Sequence, residues 1–342
     1  MKSLLASSAI SLLALASAAQ AEGSLLLYNW FEYLPQELVD KFSKEYDVKV
    51  TMDTYDSNEA LLAALKAGKL GSYDLAVPGD YMVKILADEG MLDTFTPDEI
   101  PNFANISPEW VDVPFDPGRQ STIPYQWGST SFAVNRTVYK GDINTTDMIF
   151  NPPEEVKGKI NVLDTAGELL TFASLHLGIP QCTTDRAQLK ALNDLVLDAK
   201  KDWASFGSDT AKEVLVSGEA SVGMIWSGFS AKARVEGAPI EYAFPKQGYI
   251  VWMDNVALLK DAPNRENALK FMNFMLEPEN AAALTNYAQY SAGVSGVAPF
   301  LSPEVANSPE SNPPAGGNAV FVEACPQEVQ KMYDAIWTNL KK

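Results

Sequence analysis

The chain has 342 residues and carries 44 Asp and Glu against 26 Lys and Arg, a net charge of −18. That balance works against binding to nucleic acid or an anionic membrane and favours small cationic partners by steering. The length exceeds what one compact domain usually holds, so two lobes are expected, and 46% hydrophobic residues supply ample core.

Residues 1–21 read as a secretory signal peptide. Lys2 gives a positive start, residues 4–16 are apolar and small, and Ala19 and Ala21 fit the small-x-small cleavage pattern. No other stretch approaches the roughly 20 apolar residues a membrane-spanning helix needs. The sequence therefore predicts an exported, soluble chain, in which a disulfide between Cys182 and Cys325 is permitted. Such a pair would tie the C-terminal tail to the second lobe.

From residue 22 the pattern alternates strand and helix. A strand over 25–29 is followed by a helix over 35–45, then a strand over 48–54. Ser57 caps a helix that closes at Gly68, and a short buried strand over 74–77 leads into a helix over 80–88. Units of this length predict an α/β fold with a parallel sheet covered on both faces. Residues 121–135 read as a strand passing between lobes. The second half repeats the grammar, with strands over 159–163, 220–226 and 250–259. Its helices are predicted over 167–177, 186–198, 210–215, 266–276, 278–287 and 326–340. Residues 302–318, rich in Pro, Ser, Asn and Gly, are expected to be a surface loop.

The chemistry available to this chain is narrow. The single His, His176, sits in an apolar helical run and reads as structural. One His and two distant Cys do not furnish a zinc site or a Ser-His-Asp triad with a spare. No glycine-rich phosphate loop follows the first strand; Asn29, Trp30 and Phe31 take that place. No cofactor is expected. What recurs instead is an aromatic or an acid at a strand end: Trp30 and Tyr33, Tyr81, Trp226, Trp252 with Asp254, and Tyr290. Strand ends of α/β sheets open into ligand crevices. A buried ammonium needs a carboxylate to offset its desolvation, and ring faces attract it further. The same residues could also be ordinary packing.

Five blocks carry a resemblance to a known family. Tyr28-Asn-Trp-Phe-Glu-Tyr-Leu-Pro35, Asp74-Leu-Ala-Val-Pro-Gly-Asp-Tyr81, Ile123-Pro-Tyr-Gln-Trp-Gly128, Gly223-Met-Ile-Trp-Ser-Gly228 and Trp252-Met-Asp254 resemble the periplasmic spermidine/putrescine-binding proteins of ABC transporters, in order and spacing. The resemblance implies a two-lobed periplasmic-binding-protein fold of type II, each lobe a mostly parallel sheet flanked by helices. Lobe 1 would hold 22–132 plus 255–297, and lobe 2 would hold 133–254 plus 298–342. The hinge would lie near 130–135, 252–257 and 295–300. Carried over motif by motif, Trp30, Tyr33, Tyr81, Trp226, Trp252 and Tyr290 would wall a polyamine. Asp254 and Glu168 would pair with its amines, and Ser208 would add a hydrogen bond. An inner-membrane permease would be the partner, and the protein would be a periplasmic monomer without catalytic activity.

Several positions depart from the family's pattern. Gly79 stands where such proteins carry a Ser, Thr165 replaces a second acid beside Glu168, and Phe31 replaces a small polar residue. Glu323 could supply an acid near the tail, and Asp80 reads as a helix N-cap rather than a ligand group. Fewer acids point toward putrescine over spermidine. Two alternatives stand beside the polyamine reading. One is a receptor for another cationic solute, such as an opine or a basic amino acid derivative. The other is a secreted hydrolase using two carboxylates.

Overall fold

The computed structural model describes residues 23–342; the expected signal peptide lies outside them. The first part alternates as the pattern requires: β1 (Gly23–Trp30), α1 (Gln36–Tyr46), β2 (Val48–Tyr55), α2 (Asn58–Ala64), β3 (Leu75–Ala76) and α3 (Asp80–Asp88). In α1 the buried residues Leu38, Val39 and Phe42 recur at helical spacing, so one stripe faces the core. Ser57 Oγ accepts from the Ala60 N–H at 3.2 Å, the expected cap of α2. The helical run after α2 closes through Gly68, whose φ of 103° suits a residue without Cβ.

The chain then crosses the molecule on β4 (Thr122–Asn135) and builds α4 (Asp147–Phe150), β5 (Ile160–Val162), α5 (Ala166–Leu177), α6 (Arg186–Ala199), β6 (Ser205–Phe206), α7 (Ala211–Val216), β7 (Val222–Trp226), α8 (Ser227–Val235) and β8 (Ile240–Tyr242). It returns on β9 (Tyr249–Leu258) to α9 (Arg265–Met275), α10 (Pro278–Ala288) and β10 (Ser291–Ala292). It ends through α11 (Pro303–Ala306), β11 (Ala319–Val320) and α12 (Gln327–Leu340).

The strands follow the order β2-β1-β3-β9-β4-β7-β5-β6. Within each half the βα strands pair in parallel, β1 with β2 and β3, and β5 with β6 and β7. The two long crossing strands depart from that rule. β4 and β9 run antiparallel to each other, from Thr122 opposite Ala257 to Thr130 opposite Ile250. β9 is also antiparallel to β3, and β4 to β7. A chain that leaves one lobe, builds a second and returns must carry strands of opposite direction through the junction.

Two main cores lie on either side of that junction. One gathers Leu25, Phe42, Leu75, Ile123, Tyr125, Val256, Phe271 and Phe274, extended by a smaller cluster around Tyr28, Leu61 and Leu86. The other gathers Phe132, Leu169, Phe172, Val222, Ile225, Ile250, Val329 and Leu340. Trp226 and Trp252 pack against both main cores, so they sit on the seam.

Residues 302–318 are mostly exposed, as expected, with short elements and a few buried side chains in their first half. They contain α11 and a 3-10 turn over Pro309–Ser311. The Glu310 carboxylate, 2% exposed, accepts from Arg234 Nε at 2.9 Å and Nη2 at 3.0 Å. Polar composition predicts exposure, but a bidentate partner on α8 draws Glu310 in. The cysteines are joined, Cys182 to Cys325, linking the loop after α5 to the segment ahead of α12. Among the described residues, no helix is long and apolar enough to cross a membrane.

Candidate functional site

The site lies on the seam, where strand ends from both halves face one another. β1 stops at Trp30, whose Nε1 donates to the Val77 carbonyl at 2.8 Å and so fixes its ring over the crevice. The chain turns sharply at Glu32, with φ at 50°, and inserts Tyr33 inward. The Tyr33 hydroxyl donates to Asp254 Oδ2 at 2.8 Å. Its ring makes edge contacts with Tyr125 at 5.2 Å and Tyr290 at 5.6 Å. On β9 the alternation of side chains turns Trp252 and Asp254 toward the crevice while Met253 is buried. Trp252 meets Tyr290 at 5.1 Å, and Trp226 at the end of β7 meets Trp30 at 6.2 Å.

Glu168 enters from the opposite half, in the first turn of α5, where a helix N-terminus favours negative charge. Its carboxylate is surrounded by donors. Thr165 Oγ1 donates to Oε2 at 2.6 Å, Trp226 Nε1 reaches Oε1 at 3.1 Å and Oε2 at 3.3 Å, and Thr130 Oγ1 donates to Oε1. Thr130 in turn accepts from Trp252 Nε1 at 2.9 Å. The indoles of both seam tryptophans are thus oriented by one acid and one hydroxyl, which holds the rings in place before any ligand arrives.

The crevice is walled by Trp30, Tyr33, Tyr81, Glu168, Trp226, Trp252, Asp254 and Tyr290. Eight of the nine residues proposed from sequence therefore meet there. Ser208 is not on the wall. Its Oγ accepts from the Asp164 N–H at 3.0 Å, tying the segment after β6 to the loop that leads into α5. Glu323 is also off the wall, its backbone N–H bonded to Gln181, although Val322 beside it contributes.

Two wall acids escaped the sequence reading. Asp80 is more than a cap: Gly79 occupies the N-cap position of α3, and Asp80 Oδ2 accepts from the Met253 N–H on β9 at 3.0 Å. Glu59, at the start of α2, accepts from the Tyr81 hydroxyl at 3.0 Å. Glu59 follows β2 at a strand-to-helix junction, the same signal that marked Trp30, and Asp80 was hidden by its resemblance to an ordinary cap. Asn58 and Phe229 line the wall as well. A Cβ on Gly79 would lie 2.9 Å from Asn58 Nδ2, so Asn58 occupies the space a serine would need.

Burial dominates the electrostatics. It raises the pKa of Asp254 well above the usual carboxylate value, an effect that Asp80 and Glu168 reinforce and Tyr33 opposes. Burial pushes Asp80 up to about 7 against the two backbone hydrogen bonds it accepts. Desolvation also raises Glu168, which is half-buried, and Glu59, which keeps an exposed edge. The charges that bear on these site acids are other carboxylates, and no cation among the described residues offsets them. Among the described residues no group of three or more His, Cys, Asp or Glu is arranged to hold a metal ion. The acids are spread along an aromatic slot, an arrangement suited to an elongated cation.

His176 lies elsewhere. Its Nδ1 is 2.9 Å from Thr146 Oγ1 and its ring packs on Phe150 at 5.1 Å, with burial lowering its pKa.

Residues 37–314 match the family described as bacterial extracellular solute-binding protein, and the chain belongs to that family. The spermidine/putrescine-binding periplasmic protein of Escherichia coli K12 is 37% identical over 313 residues, covering 91% of this chain and 89% of that protein. A solved structure from Listeria monocytogenes superposes with a TM-score of 0.88 at 28% identity, covering 93% of this chain and 99% of that one. The substrate-binding protein of a spermidine/putrescine ABC transporter from Streptococcus pneumoniae gives 0.77 at 27% identity, covering 93% and 98%. The fold is the two-lobed type II architecture of periplasmic binding proteins.

Proposed function

We propose that this chain is the periplasmic receptor of an ABC importer and that it captures a polyamine between its two lobes. The observation that carries this reading is a set of carboxylates among aromatic rings, Asp254 and Asp80 buried and Glu168 half-buried, with no Lys or Arg on the same wall. A buried carboxylate is costly unless paired, and a bound ammonium supplies the missing charge. Trp30, Trp226, Trp252 and Tyr290 offer faces for the methylenes between amines, and Asp254 and Glu168 bind the nitrogens. An opine receptor would need a cation for the ligand's carboxylates, and the wall residues include no Lys or Arg. A hydrolase would need two acids flanking a solvent-reachable bond, whereas Asp254 and Glu168 are enclosed by ring and hydroxyl partners.

Lobe 1 comprises 22–132 plus 255–297, and lobe 2 comprises 133–254 plus 298–342. The core residues change sides between Tyr125 and Phe132 on β4 and between Ile250 and Val256 on β9, in keeping with hinge segments there. Ligand contacts from both lobes favour the closed form, which the membrane permease reads. Residues 1–21 direct export and are removed, and the receptor works as a monomer.

Calorimetric titration of protein freed of ligand by unfolding and refolding tests the reading. Putrescine or spermidine should bind at micromolar concentration or tighter, and a neutral diol of similar length should not. Binding of the diol as well as the amines would overturn it.

A further inference from the structure

Asp80 has no place in the two-acid account of the slot, yet it is on the wall, 3% exposed, with no cation beside it. We infer that Asp80 is a specificity-determining third carboxylate that receives the internal ammonium of a linear triamine, between the nitrogens bound by Asp254 and Glu168. The inference rests on the amine-receptor reading and narrows it to a ligand class.

Position is the first argument. Gly79 pairs antiparallel with Asp254, which brings the turn before α3 against β9. Asp80 Oδ2 then accepts from the Met253 N–H, the amide between the two slot-facing residues Trp252 and Asp254. Oδ1 accepts from the Tyr81 N–H at 2.6 Å. Each oxygen has accepted one backbone hydrogen bond and keeps lone-pair capacity for a ligand donor.

Charge is the second argument. Asp80 feels Glu168, and Asp254 feels both Asp80 and Glu168. The three acids are near enough to interact yet do not converge as a metal cage. At the Glu168 end the companion residue is Thr165, a hydroxyl that donates rather than a second acid. Glu59 also bears on Glu168, but it is exposed and held by the Tyr81 hydroxyl, so the third buried negative charge comes from Asp80.

Ligand chemistry follows. A diamine places methylenes opposite Asp80, leaving it either ionised without a partner or protonated. A triamine places an ammonium there and ionises it. Burial holds the Asp80 pKa at about 7, poised for that change.

Calorimetry at pH 7 with spermidine and 1,8-diaminooctane tests this directly. The two have the same chain length, and a methylene replaces the internal nitrogen in the second. The unsubstituted protein should prefer spermidine by roughly tenfold to hundredfold, the range of one charge-assisted hydrogen bond. Asp80→Asn should remove that preference by weakening spermidine far more than diaminooctane. Across buffers of different ionisation enthalpy, spermidine binding to the unsubstituted protein should release more protons than binding to the variant. Equal affinity for the two amines in the unsubstituted protein would overturn the inference, even if the variant fails to fold. Equal loss of both amines in the variant would also overturn it, making Asp80 only a support for β9. Absence of binding by either amine would instead sink the amine-receptor reading, and this inference with it.

Discussion

Replacing Asp254 by Asn should move ligand affinity and ligand-free stability in opposite directions. Asp254 is 8% exposed, accepts one hydrogen bond from Tyr33, and has only carboxylates and tyrosines as electrostatic neighbours. In the complex it faces an ammonium, and removing one member of a buried pair costs about 3–5 kcal/mol. At 1.4 kcal/mol per decade this weakens amine binding roughly 140-fold to several thousand-fold. Without ligand the arithmetic reverses, because Asn keeps an acceptor for Tyr33 and removes a carboxylate that burial resists ionising. The thermal midpoint of the ligand-free variant at pH 8 should therefore rise. Titration calorimetry gives the first quantity and unfolding followed by circular dichroism the second. Unchanged affinity together with a lowered midpoint would refute the reasoning, since it would make Asp254 a structural acid.

Three further outcomes follow from the same structure. Asp80 is raised from 3.8 to about 7, so its contribution to ligand-free stability is present below about pH 4 and lost as pH rises through 7; the shift is worth roughly 4 kcal/mol. Spermidine binding requires the ionised form, so spermidine affinity should climb over that window as ligand-free stability falls, and a flat spermidine affinity between pH 5.5 and 8 would contradict this. Reducing the Cys182–Cys325 bond opens a loop of 143 residues and should cost up to about 5 kcal/mol of stability in the chain-entropy account. Amine affinity should barely change on reduction, and an unaltered midpoint would show that the bridge constrains little. Arg234→Met strands the buried Glu310 and should cost about 3 kcal/mol by denaturant unfolding, near the low end because Arg234 is about one-third exposed; adding Glu310→Gln should recover part of the loss.

Most of the fold was legible because strand and helix periodicities alternate cleanly and punctuation is explicit, as at Ser57 and Gly68. The direction of β4 and β9 was not, since alternation of side chains says nothing about which way a neighbour runs. The loop over 108–121 was also silent. It is held by Arg119, fully buried, which donates to the Trp110 carbonyl at 2.7 Å and to Asn255 Oδ1 at 2.6 Å. A lone Arg in a loop reads as surface, and only the fold reveals its acceptors. Within the site, the aromatics and Asp254 showed themselves by position at strand ends. Asp80 and Glu59 did not, because an acid at a helix start has a common explanation in capping and the macrodipole. Ser208 lies off the wall, a placement its residue type does not reveal, and its Oγ accepts from the Asp164 N–H.

The most direct test of the account is a crystal structure of the refolded protein grown with spermidine. The predicted result is an extended amine in the seam, flanked by Trp30, Trp226, Trp252 and Tyr290, with nitrogens within hydrogen-bond distance of Asp254 and Glu168. Spermidine bound away from the seam, or its nitrogens turned from both carboxylates, would contradict it.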